Sequence, residues 1–575
     1  MRRSYSTYIL AGVAVCTLLV ACETAPENSQ ADTNRSSSVS VPPPPPPPST
    51  VAGVPVVQQR VVVTGSRVQR SEFRSRASPS VIVQAEADTS TNGERYEDVE
   101  INPVKLVSEE PVSTFSIDVD TASYAVARRF LNDGVLPPKD AVRIEELINY
   151  FDYDYARPET SDTPFATHVT VTPSPWAAGR QLMHIGVQGY DLAEKERPPV
   201  NLTLLIDVSG SMSQANKLPL AKKALKMLID QMDEDDTIAI AVYAGAAGQV
   251  LEPTSAKDKQ KIYAALDKLK AGGSTAGGEG LRLAYSLAEQ NFDAEGVNRV
   301  VLLTDGDFNV GITKDERLED FVSRKRESGV YLSVMGFGRG NYNDALMQKI
   351  AQTGNGTAAY IDTLNEARKW MNDDLSANLF PIADDVKIQV EFNPAMIAEY
   401  RLIGYETRLL NREDFNNDKV DAGDIGAGAS VTAIYEITQV DSKARLIDAS
   451  RYAPTPELTE QSNEYAYLKL RYKKPGAQTS TLVTRPITTR HAVPDMADAP
   501  QYVRFASAVA GYGQMLRGDP YTKTGFGWDS VITLANGAKG EDEFGYRAEF
   551  VQLARLAKTA ADQETLDTGG AATGE

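Results

Sequence analysis

Cysteine and histidine are scarce in this sequence: two and three, respectively, in 575 residues. Cys16 and Cys22 both lie at the very N-terminus, so no thiol follows them to form a disulfide, a thiolate zinc site or a cysteine nucleophile. His168, His184 and His491 are scattered and form no His-x-x-x-His pair, which argues against zinc or triad hydrolysis and leaves carboxylate chemistry open. A basic surface is also missing. The net charge is −19, from 59 Lys and Arg against 78 Asp and Glu, which excludes nucleic acid as the main partner. Beyond the N-terminus, no apolar run approaches the roughly 20 residues that span a bilayer. What remains is ordinary globular composition, 42% hydrophobic and 24% charged. The length suits about two to four domains.

The N-terminus reads as an address. Arg2 and Arg3 precede an apolar run over 8–21, the layout of a secretory signal. The run ends Leu19-Val20-Ala21-Cys22, which resembles the bacterial lipobox. That resemblance implies a signal peptide over 1–21 and a lipidated Cys22. The acyl chains would then anchor a periplasmic or outer-membrane lipoprotein in the cell envelope. Residues 22–98 read as a disordered, Pro-rich tether. The seven consecutive prolines at 42–48 favour a stiff polyproline rod, about 22 Å long at roughly 3.1 Å per residue. Residues 60–76 hold five Arg and one Glu. Within them Val61-Val62-Val63-Thr64-Gly65-Ser66-Arg67 resembles the peptide by which some TonB-dependent receptors pair with an energy-transducing protein. A basic linker meeting acidic lipid or cell wall is the plainer reading and is preferred.

Residues 99–195 mix strands at 115–119, 167–172 and 182–188 with helices at 122–131 and 144–151. The pattern changes over 196–380. Residues 202–206 are apolar but for Thr203, as expected of a strand covered on both faces. Leu218, Ala221, Leu225, Leu228, Ile229 and Met232 recur at helical spacing. Strands follow at 237–243, 300–303, 330–335 and 358–361, with helices at 257–269, 279–290, 343–353 and 364–379. This alternation predicts an α/β fold: a doubly wound, mostly parallel sheet with helices on both faces. Residues 381–490 read as β-rich, with strands at 386–392, 430–437 and 465–472. Residues 491–565 read as helical, around 501–516 and 547–559, and 566–575 as a disordered tail. The flanks are expected to pack on each other, with the α/β domain inserted between them.

Asp207-Val208-Ser209-Gly210-Ser211 directly follows the strand at 202–206. In an extended segment, positions i, i+2 and i+4 face the same way, so one carboxylate and two hydroxyls converge. They do so beyond the strand's carboxyl end, where open α/β sheets place their sites. Oxygen-only ligation suits a hard cation, Mg²⁺ first, with Ca²⁺ or Mn²⁺ also fitting. The glycine-rich loop at 272–278 adds the hydroxyl of Thr275. Thr304-Asp305-Gly306, after the strand at 300–303, adds the carboxylate of Asp305. The set Asp207, Ser209, Ser211, Thr275 and Asp305 resembles, at all five positions, the metal-ion-dependent adhesion site of von Willebrand factor type A domains. The resemblance implies a Rossmann-like type A fold, a bound divalent metal, and a protein partner whose Asp or Glu fills an open metal position.

The flanks carry a resemblance of their own. Residues 95–195, with Phe115-Ser116-Ile117-Asp118-Val119-Asp120-Thr121-Ala122-Ser123-Tyr124, are similar to the N-terminal region of a family of bacterial type A domain lipoproteins. Residues 381–565, with Asp418-Lys419-Val420-Asp421-Ala422-Gly423-Asp424-Ile425-Gly426-Ala427-Gly428, are similar to that family's C-terminal domain. They imply membership and no activity. The expected role is an envelope lipoprotein acting as a metal-dependent protein-binding or scaffold module, not an enzyme. The alternative is an envelope enzyme with an active site in the flanks.

Other motifs are incomplete. Asp118-Val119-Asp120-Thr121 opens like a dehalogenase-type phosphatase motif, but Ala122 stands where Thr or Val is needed; strand-end or helix-capping roles are expected. Asp414-Phe415-Asn416-Asn417-Asp418 opens like a calcium loop, but Lys419 and Ile425 hold the places of its Gly and Glu. Gly336-Phe337-Gly338-Arg339-Gly340 lacks the third glycine of a dinucleotide fingerprint, since Asn341 holds its place. The 272–280 loop has no Lys and is no phosphate-binding loop.

Overall fold

Strand Val200–Asp207 is buried along its whole length, because helices cover both of its faces. Leu202, Leu204 and Ile206 pack on one side with Leu225, Leu228 and Ile229 of helix Leu218–Gln231. Leu205 points the other way, to Leu281, Ala284 and Tyr285 of helix Gly277–Gln290. This is the two-fold side-chain alternation of a strand with an apolar residue on each face. Helix Gly277–Gln290 lies close to the sheet: a Cβ on Gly280 would come within 2.7 Å of the Tyr243 Cβ.

The computed structural model describes residues 94–274, 277–306, 315–340, 342–448, 463–522 and 525–570. The signal peptide, Cys22, most of the tether, the 61–67 peptide and Thr275 lie outside the described residues. The central sheet has six strands in the order Ala358–Ile361, Val330–Phe337, Val297–Thr304, Val200–Asp207, Thr237–Tyr243, Ala247–Ser255. All neighbours are parallel except the last pair. The doubly wound α/β architecture is therefore present, with one antiparallel edge strand added.

Strands from before and after this segment share two further sheets. One runs Lys105–Leu106, Ile397–Ile403, Ser430–Gln439, Gln181–Gly189, Phe165–Pro173. The other runs Gly423–Gly426, Pro381–Phe392, Glu464–Lys473, Thr481–Thr488, and Val112–Ser116 also pairs with Pro381–Phe392. Their inner faces meet in one core through Val171, Ile185, Tyr435, Ile388 and Leu468. Ile434, on the opposite face of its strand, packs instead with helices Gln501–Arg517 and Tyr546–Gly570. Helix Ala122–Asn132 joins the two halves. Ala122, Ala125 and Val126 pack into the α/β core, while Tyr124, Ala127 and Leu131 pack into the helical one.

Several local readings are corrected. Order begins inside the expected tether, since the buried Glu94 pairs with Arg129 at 2.6 Å. Helix Asp315–Glu327 and strand Ala247–Ser255 were not expected. The helix read over 364–379 is three pieces, with a wide π-type turn at Lys369–Asp373. The last helix runs to Gly570, into the segment read as a disordered tail.

Candidate metal centre

The register of the parallel strands sets the site. Ile206 pairs with Leu303, and Asp207 pairs with Tyr243. Asp207 and Asp305 therefore leave adjacent strands about one residue apart in height, both fully buried. Asp207 ends its strand, and the chain turns at once into the short helical turn Gly210–Ser213. That turn is held from both sides by backbone: Gly210 N–H donates to Gly273 O at 3.0 Å, and Gly272 N–H donates to Val208 O at 2.7 Å. The loop that carries Thr275 is thereby tied to the loop that carries the serines. Gly273 has φ +94° and Gly306, next to Asp305, has φ +97°, a backbone region that suits glycine.

Within this frame, Asp207 Oδ1 accepts from the Ser209 N–H at 2.8 Å. Asp207 Oδ2 is buried with no hydrogen-bond partner among the described residues. The buried Tyr243 hydroxyl lies near enough to steady the carboxyl's charge as a donor, short of a formed hydrogen bond. Burial pushes the Asp207 carboxyl up to about 6; bonds from Ser209 oppose the shift, and the Asp305 charge adds to it. The Ser209 and Ser211 hydroxyls lie 2.9 Å apart, Ser209 buried and Ser211 exposed. Four of the five expected residues thus gather at the carboxyl ends of two neighbouring strands, and Thr275 lies outside the described residues.

The sequence reading missed Lys217. Its Nζ donates to Asp305 Oδ2 at 2.9 Å, and both side chains are buried. The stem lies over Gly338, where an added Cβ would meet the Lys217 Cε at 2.2 Å. A lysine at the start of a helix reads as a solvated charge. The apolar residues that follow it on the inner face were the only sign that it points inward.

The rival motifs do other work. Asp118 and Asp120 share Arg408, at 2.9 and 3.1 Å, and Asp120 also accepts from the Ala358 N–H at 2.8 Å. They join the C-terminal region to the sheet edge and do not cap helix Ala122–Asn132, whose N-cap, Thr121, makes no side-chain bond. Asp418 accepts from the Ser480 hydroxyl at 2.6 Å, and Asp421 pairs with Arg326 at 2.8 Å. Those two carboxylates are therefore taken up by groups outside the loop. Gly336 makes room for the Tyr342 ring. His184 is buried against the Tyr155 hydroxyl at 3.1 Å, His168 stacks on the Tyr155 ring, and His491 accepts from the Thr488 N–H at 3.0 Å. Burial lowers His184 to about 3, so it stays neutral. Among the described residues, no group of three or more His, Cys, Asp or Glu converges as a metal cluster. A hydroxyl-rich donor set like the one above is the alternative.

Comparison with known proteins agrees with this layout. The von Willebrand factor type A domain family matches residues 201–373. A von Willebrand factor family matches 90–184, and the C-terminal family of the uncharacterized protein YfbK matches 377–560. Type A domains are generally non-enzymatic adhesion or scaffold modules, which gives the chain a protein-interaction or scaffold character. The human inter-alpha-trypsin inhibitor heavy chain H3 is 24% identical over 264 residues, 43% of this chain and 29% of its own. A solved von Willebrand factor type A protein from Catenulispora acidiphila aligns over 72% of this chain and 90% of its own, at 17% identity and a TM-score of 0.37. The uncharacterized protein YfbK of Escherichia coli (strain K12) is 47% identical over 476 residues, 81% of this chain and 82% of its own length. The chain belongs to the YfbK family, with a von Willebrand factor type A domain between that family's N- and C-terminal regions.

Proposed function

We propose that the type A domain binds a protein partner through a divalent cation, Mg²⁺ first, held by Asp207, Ser209 and Ser211 with Thr275 and Asp305. The orphaned Asp207 Oδ2 carries this reading. A buried carboxylate oxygen without a donor is costly, and a hard cation is the group that would compensate it. The hydroxyl pair fits as well. Neighbouring ligands of an octahedral Mg²⁺ with bonds of 2.0–2.1 Å lie about 2.9 Å apart, and Ser209 and Ser211 are separated by 2.9 Å.

Charge explains why such a centre recognises an acid. Two carboxylates and the Lys217 ammonium sum to −1, so a divalent ion leaves +1 in a buried setting. When bound, the ion supplies an electrophilic position for a carboxylate of the partner. Lys217 holds Asp305 Oδ2, which favours Asp207 and the serines as the direct ligands and Asp305 as a supporting charge.

The placement in the cell belongs to the same proposal. Cys22 carries the lipid, and the segment between it and Glu94 serves as the tether. The chain acts in the envelope as a scaffold and not as an enzyme. In calorimetry, Asp207→Ala is expected to lose Mg²⁺ uptake. In a pull-down from envelope extract, the same variant and EDTA are expected to release the same partner. Unchanged Mg²⁺ uptake by Asp207→Ala would overturn the assignment.

A further inference from the structure

The chain is strongly acidic, yet one face of the type A domain is basic. Residues 214–231 and 256–271 together hold nine lysines and three aspartates. Lys217, Lys257 and Lys261 pair with Asp305, Glu234 and Glu252 outside these segments, so six lysines and three aspartates remain, a local +3 in a chain of −19. These segments form helices Leu218–Gln231 and Lys259–Lys268, and a groove of about 550 Å³ runs between them. Lys222, Lys223, Lys226 and Lys270 line it, against one carboxylate, Asp267.

Two of these lysines build the groove. Lys222 Nζ donates to the Asp267 and Leu269 carbonyls at 3.1 and 3.3 Å, and Lys226 pairs with Asp267 at 2.8 Å. They fasten one helix to the end of the other. Lys223 and Lys270 are exposed on the rim and enter no ion pair among the described residues. The floor is apolar, with Leu218 and Pro219. Met212 and Ser213 also line the groove, and they belong to the same short turn as Ser211. The groove therefore opens directly beside the candidate metal centre.

We propose that this groove receives an acidic polypeptide segment, so that the carboxylate at the metal is one member of a run of Asp and Glu. This rests on the metal-dependent binding reading above. Charge complementarity selects the occupant: four lysines, one carboxylate and an adjoining site for a carboxylate oxygen. A polypeptide fits better than an anionic membrane, which calls for a flat face and not a narrow groove with an apolar floor. Exposed lysines act mainly by attraction before contact, so the preference is expected to weaken as salt is added.

The test uses the full chain and two labelled peptides of about 12 residues, one rich in Asp and Glu and one of Gly and Ser with a single Asp. Fluorescence anisotropy with Mg²⁺ at low ionic strength is expected to show the acidic peptide binding about tenfold tighter, an advantage of the size that steering and rim charges supply. EDTA is expected to release both peptides. The double variant Lys223→Glu, Lys270→Glu is expected to abolish the advantage while Mg²⁺ uptake and single-Asp binding stay unchanged. A double variant that keeps the advantage overturns the proposal. So does lysine-dependent binding to phosphatidylglycerol vesicles when the acidic peptide shows no advantage. If the lysine-dependent advantage persists but neither peptide responds to EDTA, the groove stands and the metal reading falls.

Discussion

Two buried charged centres in this molecule are built on opposite plans. At the seam between the helical flank and the type A domain, Arg128 meets Asp362, Glu366 at 2.7 Å and Glu549 at 2.9 Å, with the Tyr150 hydroxyl bonded to Glu366 at 2.8 Å. Its partners come from the segment after the last strand of the central sheet and from the C-terminal helix, so one guanidinium ties three parts of the chain together. At the candidate metal centre, Lys217 pairs with Asp305, and Asp207 Oδ2 makes no hydrogen bond among the described residues. In the first centre one planar guanidinium reaches all three carboxylates and gives each a donor, although they outnumber it. In the second, a buried carboxylate oxygen lacks such a donor among the described residues.

The largest effect is expected from breaking the first centre. Arg128→Ala leaves Asp362 and Glu366 buried without their counter-ion. Removing one partner of a buried pair costs about 3–5 kcal/mol. The denaturant midpoint should fall accordingly, and Mg²⁺ should not restore it. A midpoint within error of the parent would show that the seam does not depend on this arginine.

Lys217→Met is the counterpart at the second centre, and there the metal changes the outcome. In EDTA, Asp305 loses its ammonium and repels Asp207, so destabilisation of about 3 kcal/mol is expected, the low end for a broken buried pair. Saturating Mg²⁺ should recover most of it, because a ligand bound only by the native state stabilises that state; at about 100 times the dissociation constant the gain is about 2.7 kcal/mol. Thermal melts of both variants with Mg²⁺ and with EDTA separate the two plans. If Mg²⁺ rescues neither variant, the lysine is one more internal weld and the site holds no cation.

The same contrast explains what could be read from the residues alone. The sheet was legible because Leu202, Leu204, Leu205 and Ile206 leave no polar face, and the four described ligand positions because they end two such strands. Helix Asp315–Glu327 escaped because only Leu318, Phe321 and Val322 among its apolar positions mark the buried side of a highly charged segment. Strand Ala247–Ser255 escaped because an edge strand shows no clean alternation. Arg128, Lys217 and the Arg408 pairing with Asp118 and Asp120 escaped for a different reason. Their partners lie 88 to 421 residues away, and no local period encodes such a pairing.

The smallest expected effect tests whether the seam is compensated throughout. Around helix Ile144–Asn149, Asp118, Asp120, Glu145, Glu146, Asp344 and Glu406 gather about Arg143, Arg408 and Arg517. Six carboxylates face three guanidiniums there, so protons on Glu145 and Glu146 relieve repulsion. Burial pushes Glu145 up to about 7, helped by the charges of Glu406 and Asp118. Burial also pushes Glu146 up to about 7, with Arg143 opposing and Asp118 and Asp344 adding. Both values lie above the ordinary 4.5, so the native state binds more protons than the unfolded chain between pH 4.5 and about 7. The stability from these groups is complete below that window and is lost as pH rises through about 7. The share of Glu145 alone should be a fall of about 2.5 kcal/mol in the unfolding free energy between pH 5 and pH 8. Glu145→Gln, which cannot ionise, should flatten that fall. A profile of equal slope in the variant would mean that this glutamate is charged in the native state.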